Sequence, residues 1–148
     1  MIRILVIEDE YEDYLMAKGL LEDEFPGVIV VRLATELKFR RWIAQLQMPL
    51  PDLVILDNML PWTVPAPELE SPPEEVANAG PWNAGLRCYE LLRARPECSH
   101  IPVIILTIAA IACPAGAEYV SKTDRSLLAA KAHNLLRRCQ EERDDHGK

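Results

Sequence analysis

The chain has 148 residues, 49% of them hydrophobic and 26% charged, and a net charge of −7. That length suits one domain with a sizeable core. The acidic balance excludes the basic patch or stripe of a nucleic-acid-binding surface. No apolar stretch is as long as a membrane span, and no basic region leading into a long apolar run opens the chain as a signal peptide would. Cys88, Cys98, Cys113 and Cys139 stand apart without a C-x-x-C pair, a pattern of reduced thiols in a cytosolic protein. Cys98 and His100 are close enough to suggest a metal pair, but no second pair completes four ligands.

A first strand is predicted over Ile2 to Ile7, and it ends in Glu8, Asp9 and Glu10. A first helix follows, from about Glu12 to Glu24, with Leu15, Met16 and Leu20 inward and Pro26-Gly27 as its stop. The second strand covers Val28 to Leu33. Thr35 is placed to cap a second helix in which Phe39, Trp42, Ile43 and Leu46 recur at helical spacing. Leu53 to Leu56, apolar and bracketed by Pro51 and Pro61, reads as a fully buried third strand. This β-α-β-α-β order implies parallel strands joined by right-handed crossovers.

The pattern then breaks. Residues 61 to 81 carry six of the 12 prolines, and no Lys or Arg occurs between Arg41 and Arg87. Residues 62–84 are therefore expected to form a long acidic loop without helix or central strand. Such loops in compact domains are usually functional or disordered. Trp62 and Trp82 flank it, either pinning it to the body or meeting a partner. A third helix is predicted from near Leu86 to before Pro96, with Cys88, Leu91 and Leu92 inward. The fourth strand, Val103 to Leu106, ends in Thr107, and the fifth, Glu118 to Ser121, ends in Lys122. The connection between them is shorter than the dozen or more residues a parallel crossover normally takes. Helix 4 is therefore expected to be short or absent, in keeping with Pro114 and Gly116. The last helix is predicted from about Asp124 to Cys139, with Leu128, Ala132, Leu135, Leu136 and Cys139 inward. The domain is placed at residues 1–140, with a polar tail at 141–148 that frays, and no further domain, such as a helix-turn-helix output module, is expected beyond it.

Asp57 ends a buried strand, and a buried ion costs several kcal/mol unless it is paired or metal-bound. Ligands of open α/β sheets sit at the carboxyl ends of the strands, which is where Glu8, Asp9, Asp57, Thr107 and Lys122 all fall. Alone, Glu8 and Asp9 read as an acidic helix start, Lys122 as a surface lysine and Thr107 as a strand residue. Together, two acidic strand tips, a hydroxyl and an ammonium are what a magnesium ion and a phosphorylated carboxylate require.

On these residues the chain resembles the receiver domain of two-component response regulators. Ile4-Leu5-Val6-Ile7-Glu8-Asp9-Glu10 resembles the family's acidic first-strand motif, and Pro51 to Pro61 its phosphoacceptor strand, with Asp57 at the acceptor position. Gly85 resembles the glycine that opens the helix after the acceptor. Leu106-Thr107 matches the hydroxyl position, and Gly116 to Lys122 the fifth-strand signature. The resemblance implies a flavodoxin-like, doubly wound, five-stranded parallel sheet of order 2-1-3-4-5 with helices on both faces. It implies Mg²⁺ held by Glu8, Asp9, Asp57 and the Met59 backbone carbonyl, with no organic cofactor. It further implies phosphoryl transfer to Asp57 from a sensor histidine kinase or phosphotransfer protein, aided by Thr107 and Lys122. Tyr119 becomes the switch aromatic, although an aromatic on a strand also packs. The protein is then a stand-alone, cytoplasmic binding switch acting on an unidentified downstream protein, and not an enzyme beyond its own phosphoryl transfer and aspartyl-phosphate hydrolysis. No nucleic acid and no membrane are expected as partners.

Three departures accompany the resemblance. The loop after Asp57 is much longer, helix 4 is truncated, and Ile108 and Thr123 stand where a small residue and a proline are usual. They support an alternative, a receiver-like interaction module that signals without phosphate. An enzyme on the same topology finds little support. The chain has no G-x-G-x-x-G or G-x-x-x-x-G-K, and Met59 stands where an aspartate-nucleophile phosphatase would have its second aspartate.

Overall fold

The computed structural model describes residues 1–63, 71–108 and 111–147. The elements are β1 (Arg3–Ile7), α1 (Tyr11–Glu24), β2 (Ile29–Leu33), α2 (Glu36–Ala44), β3 (Leu53–Leu56), α3 (Glu74–Ala79), α4 (Ala84–Ala94), β4 (Val103–Thr107), β5 (Ala117–Ser121) and α5 (Ser126–His146). All strand pairs are parallel, in the order β2-β1-β3-β4-β5, as expected. The apolar blocks of β3 and β4 are buried along their whole length, while β2 and β5 form the half-buried edges. Alternate side chains leave the sheet on opposite faces. Leu5, Ile7, Val54, Leu56, Val103 and Ile105 meet α2 and α4 through Phe39, Ile43, Cys88 and Leu92. Ile4, Val6, Leu53, Ile55, Ile104 and Leu106 meet α1 and α5 through Tyr14, Leu21, Leu128 and Ala132.

Thr35 caps α2 as expected, its hydroxyl accepting from the Lys38 N–H at 3.1 Å. The inward face of α1 differs from the expected one. Tyr14, Ala17 and Leu21 are buried, Leu20 is half-buried against the core, and Leu15 and Met16 are 43% and 53% exposed. Apolar residues lie around the whole circumference of this helix, so periodicity alone did not single out the core face. Small Ala17 brings the backbone close to the sheet, and Tyr14 lies beneath the Arg32 guanidinium, 5.6 Å from its ring centroid.

The segment expected to lack helix contains α3. Pro72, Pro73 and Pro81 lie outside the six helical residues, so none interrupts the hydrogen bonding. Gly80, at φ 67°, ends the helix with its N–H on the Val76 carbonyl. Residues 64–70 of the expected loop lie outside the described residues. The segment is joined to the body at several points. Glu36 and Leu37, in the first turn of α2, donate backbone N–H groups to the Pro61 and Trp62 carbonyls, and the Leu60 N–H meets the Pro81 carbonyl at 3.3 Å. Arg87 on α4 donates to the Gly80 and Trp82 carbonyls. Its guanidinium also forms a two-point pair with Glu36, at 2.7 and 3.0 Å, and the Glu36 side chain is completely buried.

Between β4 and β5, residues 111–116 contain no helix, in agreement with the short or absent crossover helix expected between these strands; residues 109 and 110 lie outside the described residues. The Tyr89 hydroxyl donates to the Ala115 carbonyl, and Arg93 donates to the Gly116 carbonyl, so α4 ties this connection down. At the other end of the chain, α5 continues to His146 through the stretch expected to fray. The pairs Arg137–Glu141 and Gln140–Asp144 support that polar extension at i,i+4 spacing.

Candidate functional site: a carboxylate cluster around a buried lysine

The sheet register delivers the site. Ile7 and Leu56 are partners across β1 and β3, so Glu8 and Asp57 emerge side by side, and Asp57 N–H donates to the Ile7 carbonyl. Thr107 closes β4, fully buried, and its carbonyl accepts from Lys122 N–H just past β5. The cavity between these tips, about 360 Å³, is lined by Asp9, Asp57, Met59, Thr107, Ile108 and Lys122, among others. Pro61 and Pro81, at the two ends of the insertion, form one of its walls. Ile108 stands at the mouth and is 70% exposed.

Every expected strand-tip residue is brought together here. The Lys122 ammonium lies 2.7 Å from Asp57 Oδ2 and 2.8 Å from Glu8 Oε2, with all three side chains nearly inaccessible. Single carboxylate oxygens of Glu8, Asp9 and Asp57 lie within 4.8 Å of one another. Burial, and next the Asp57 charge, push the Glu8 carboxyl up to about 8, against the opposing pull of Lys122. Burial also raises Asp9. Lys122 is disfavoured by burial, but its hydrogen bonds to Asp57 and Glu8 outweigh that and hold it charged.

Hard oxygen donors from three acids, countered by a single ammonium, leave negative charge that suits a divalent cation; the Asp57 charge, after burial, contributes to the raised Glu8. Met59 lines the cavity and donates its N–H to Asp57 Oδ1 at 3.0 Å. Arg32, from β2, donates to the Glu8 and Asp9 carbonyls at 2.9 and 2.7 Å, which fixes the backbone that carries the acids. Tyr119 lies on β5 opposite Ile105, half-buried, and is not among the residues lining the cavity.

Gly85 is the second residue of α4 and sits directly against the backbone of Asp57 and Asn58. Asn58, buried beside Asp57, accepts from Leu86 N–H at 3.1 Å and donates to Asn83 Oδ1 at 3.3 Å. Asn83 holds φ 60° at the helix start, so the turn after Asp57 and the beginning of α4 form one hydrogen-bonded unit. No local pattern of residues signals this pairing, nor the place of Asp13, whose carboxylate Oδ2 lies 3.0 Å from the Lys122 ammonium.

Three solved structures illustrate what the chain is similar to. A signal receiver domain of a DNA-binding response regulator protein (merR) from Colwellia psychrerythraea 34H is 21% identical, with a TM-score of 0.65, over 93% of this chain and 99% of that one. The receiver domain of a signal transduction histidine kinase from Syntrophus aciditrophicus is 23% identical, with a TM-score of 0.62, over 92% and 90%. The Mn²⁺-bound form of response regulator Rcp1 is 20% identical, with a TM-score of 0.55, over 75% and 68%. No family model matches the sequence, and no curated protein matches it significantly. The sheet order and these likenesses agree: along nearly its whole length, the chain has the fold of response-regulator receiver domains.

Proposed function

We propose that the protein is a phosphoryl-accepting switch of a two-component system, with Asp57 as the acceptor. The observation that carries this reading is the Lys122 ammonium, 2.7 Å from Asp57 and 2.8 Å from Glu8, at a cavity that Asp9 also lines. Asp57 is nearly inaccessible and lines the strand-tip cavity, and the Lys122 ammonium holds its carboxylate in place. An Asp57 oxygen attacks the phosphorus of a phosphohistidine on a sensor kinase or phosphotransfer protein. A P–O bond forms, the P–N bond breaks with its electrons going to the ring nitrogen, and the ring takes a proton from water. Lys122 pairs with the equatorial phosphoryl oxygens, and the Thr107 hydroxyl donates to another. Phosphoryl transfer needs positioning and charge neutralisation above all.

Glu8, Asp9, Asp57 and the Met59 carbonyl would hold Mg²⁺, a hard cation served by oxygen donors. When bound, it supplies neutralisation of the phosphoryl charge. The Mn²⁺ of the similar regulator Rcp1 supports a divalent site on this fold. A similar receiver domain that belongs to a histidine kinase supports a kinase-linked pathway. Thr107 and Tyr119 together transmit the phosphorylated state, and the readout is a changed affinity for a downstream protein. The protein acts in the cytoplasm, in keeping with four free cysteines and the absence, among the described residues, of a helix long and apolar enough to cross a membrane. It performs no reaction beyond its own phosphorylation and the hydrolysis of that acyl phosphate.

Intact-mass spectrometry after incubation with acetyl phosphate and Mg²⁺ tests the reading. A single phosphoryl adduct is expected in the wild type and none in Asp57→Asn, with both folded. A wild type that binds Mg²⁺ yet never gains the adduct would favour the second reading, a phosphate-independent interaction module. The specific observation behind that second reading is the Pro61–Pro81 wall and exposed Ile108 at the mouth.

A further inference from the structure

We infer that Asp13 is a positioning residue for Lys122, and that Arg125 anchors it in that role. The inference rests on the phosphoacceptor reading only for its kinetic consequence. A lysine ammonium has three N–H donors, and here each has a carboxylate within reach: Asp57 at 2.7 Å, Glu8 at 2.8 Å and Asp13 at 3.0 Å. Two of these acceptors belong to the converging cluster Glu8–Asp9–Asp57. Asp13 does not. It projects from the first turn of α1, and its other oxygen takes the Arg125 guanidinium at 2.6 Å. Arg125 in turn stands immediately before α5, at the end of the turn that carries Lys122. A chain of charges thus runs from α5 through Asp13 to the ammonium. Burial works against ionised Asp13, but the hydrogen bonds from Lys122 and Arg125 outweigh it and keep the carboxylate charged.

The distinct role of Asp13 follows from what happens to its two companions. Phosphorylation would turn one Asp57 oxygen into the bridge of an acyl phosphate, and a bound cation would compete with Lys122 for Glu8. Asp13 alone keeps the same partner before and after transfer. It therefore fixes where the long, four-carbon side chain places its charge while the other contacts exchange. A lysine held by one unchanging carboxylate keeps its ammonium over the acceptor instead of searching for it.

Double-mutant cycles test this with two readouts. Asp13→Ala is expected to slow adduct formation from acetyl phosphate about tenfold, the order of losing one charge-assisted hydrogen bond at a reacting group. Asp13→Glu should recover part of the rate. In a Lys122→Met background, Asp13→Ala should cause no further slowing. Removing an acid from the first turn of α1 also affects the helix itself, but that contribution is present in both backgrounds and cancels in the cycle. The second cycle reads urea unfolding, which needs no phosphate. There, the combined Asp13→Ala and Lys122→Met loss is expected to fall well short of the sum of the single losses. Additive unfolding effects would overturn the positioning role. Coupled unfolding in a wild type that takes no phosphoryl group would instead retain the Asp13–Lys122 contact and discard the phosphoacceptor reading. Coupling in unfolding with equal slowing in both Lys122 backgrounds would leave Asp13 a structural partner and overturn its part in transfer.

Discussion

A methyl group on Gly85 would lie 2.6 Å from the Asp57 carbonyl oxygen and 2.8 Å from the Asn58 Cα. Both neighbours are backbone, so neither can rotate aside. Gly85→Ala must push α4 away from the turn after Asp57, at a cost of about 1–3 kcal/mol for overpacking. Urea unfolding should register that loss. The Asn58–Leu86 hydrogen bond should weaken with it, and adduct formation on Asp57 should slow. Unchanged stability would mean that the helix start yields without effort.

The raised Glu8 carboxyl gives a pH dependence with a definite sign. Its value in the fold, about 8, lies above the ordinary 4.5. In the metal-free protein its contribution to stability is therefore fully present below pH 4.5 and is lost as pH rises through about 8. Cation binding requires the ionised form, so Mg²⁺ affinity should climb over the same rise, with proton release on binding near neutral pH. Calorimetry in buffers of different ionisation enthalpy measures that release. Glu8→Gln should abolish it.

Arg32 supports the acids from behind. Its Nε and Nη2 reach two successive carbonyls, those of Glu8 and Asp9, while its guanidinium lies over the rings of Tyr11 and Tyr14. A lysine presents a point charge and cannot reproduce this fork. Arg32→Lys should weaken divalent-cation binding about tenfold, as loss of supporting contacts around metal ligands commonly does. Titration with Mn²⁺ followed by electron paramagnetic resonance would read it directly.

The Arg87–Glu36 pair joins α4, α2 and the insertion. Arg87→Met leaves the Glu36 carboxylate buried with Arg40, at 3.1 Å, as its remaining close cation among the described residues. Breaking one side of a buried pair typically costs about 3–5 kcal/mol, and the Arg40 contact should hold this case to the lower end of that range. The Gly80 and Trp82 carbonyls lose their donor at the same time. Tryptophan fluorescence should shift toward that of solvated indole as the segment loosens. The double replacement Glu36→Leu with Arg87→Met should recover much of the stability but not the fluorescence.

The central strands were legible because an unbroken apolar block tipped by a polar residue has few other meanings in a small α/β chain. Leu53 to Asp57 and Val103 to Thr107 are of that kind, and the register of the sheet then placed their tips together. The face of α1 was not legible, because Leu15 and Met16 compete with Tyr14 and Ala17 for the same periodicity. Helix α3 was hidden by prolines that turned out to frame it. Asp13, Arg125 and the Glu36–Arg87 pair escaped for a different reason. Their partners are far away in sequence, and only crossover geometry brings an acid of the first helix to the turn after the last strand.

The hydrogen bond from Leu60 to Pro81 draws together the two points at which the inserted segment leaves and rejoins the body. A neck closed in this way insulates the sheet from the length of chain beyond it, since each doubling of a flexible loop adds only about 0.6 kcal/mol of closure entropy. The stretch between can therefore be lengthened, shortened or rewritten at little cost to the sheet, while Pro61 and Pro81 keep their places in the wall of the cavity beside Asp57.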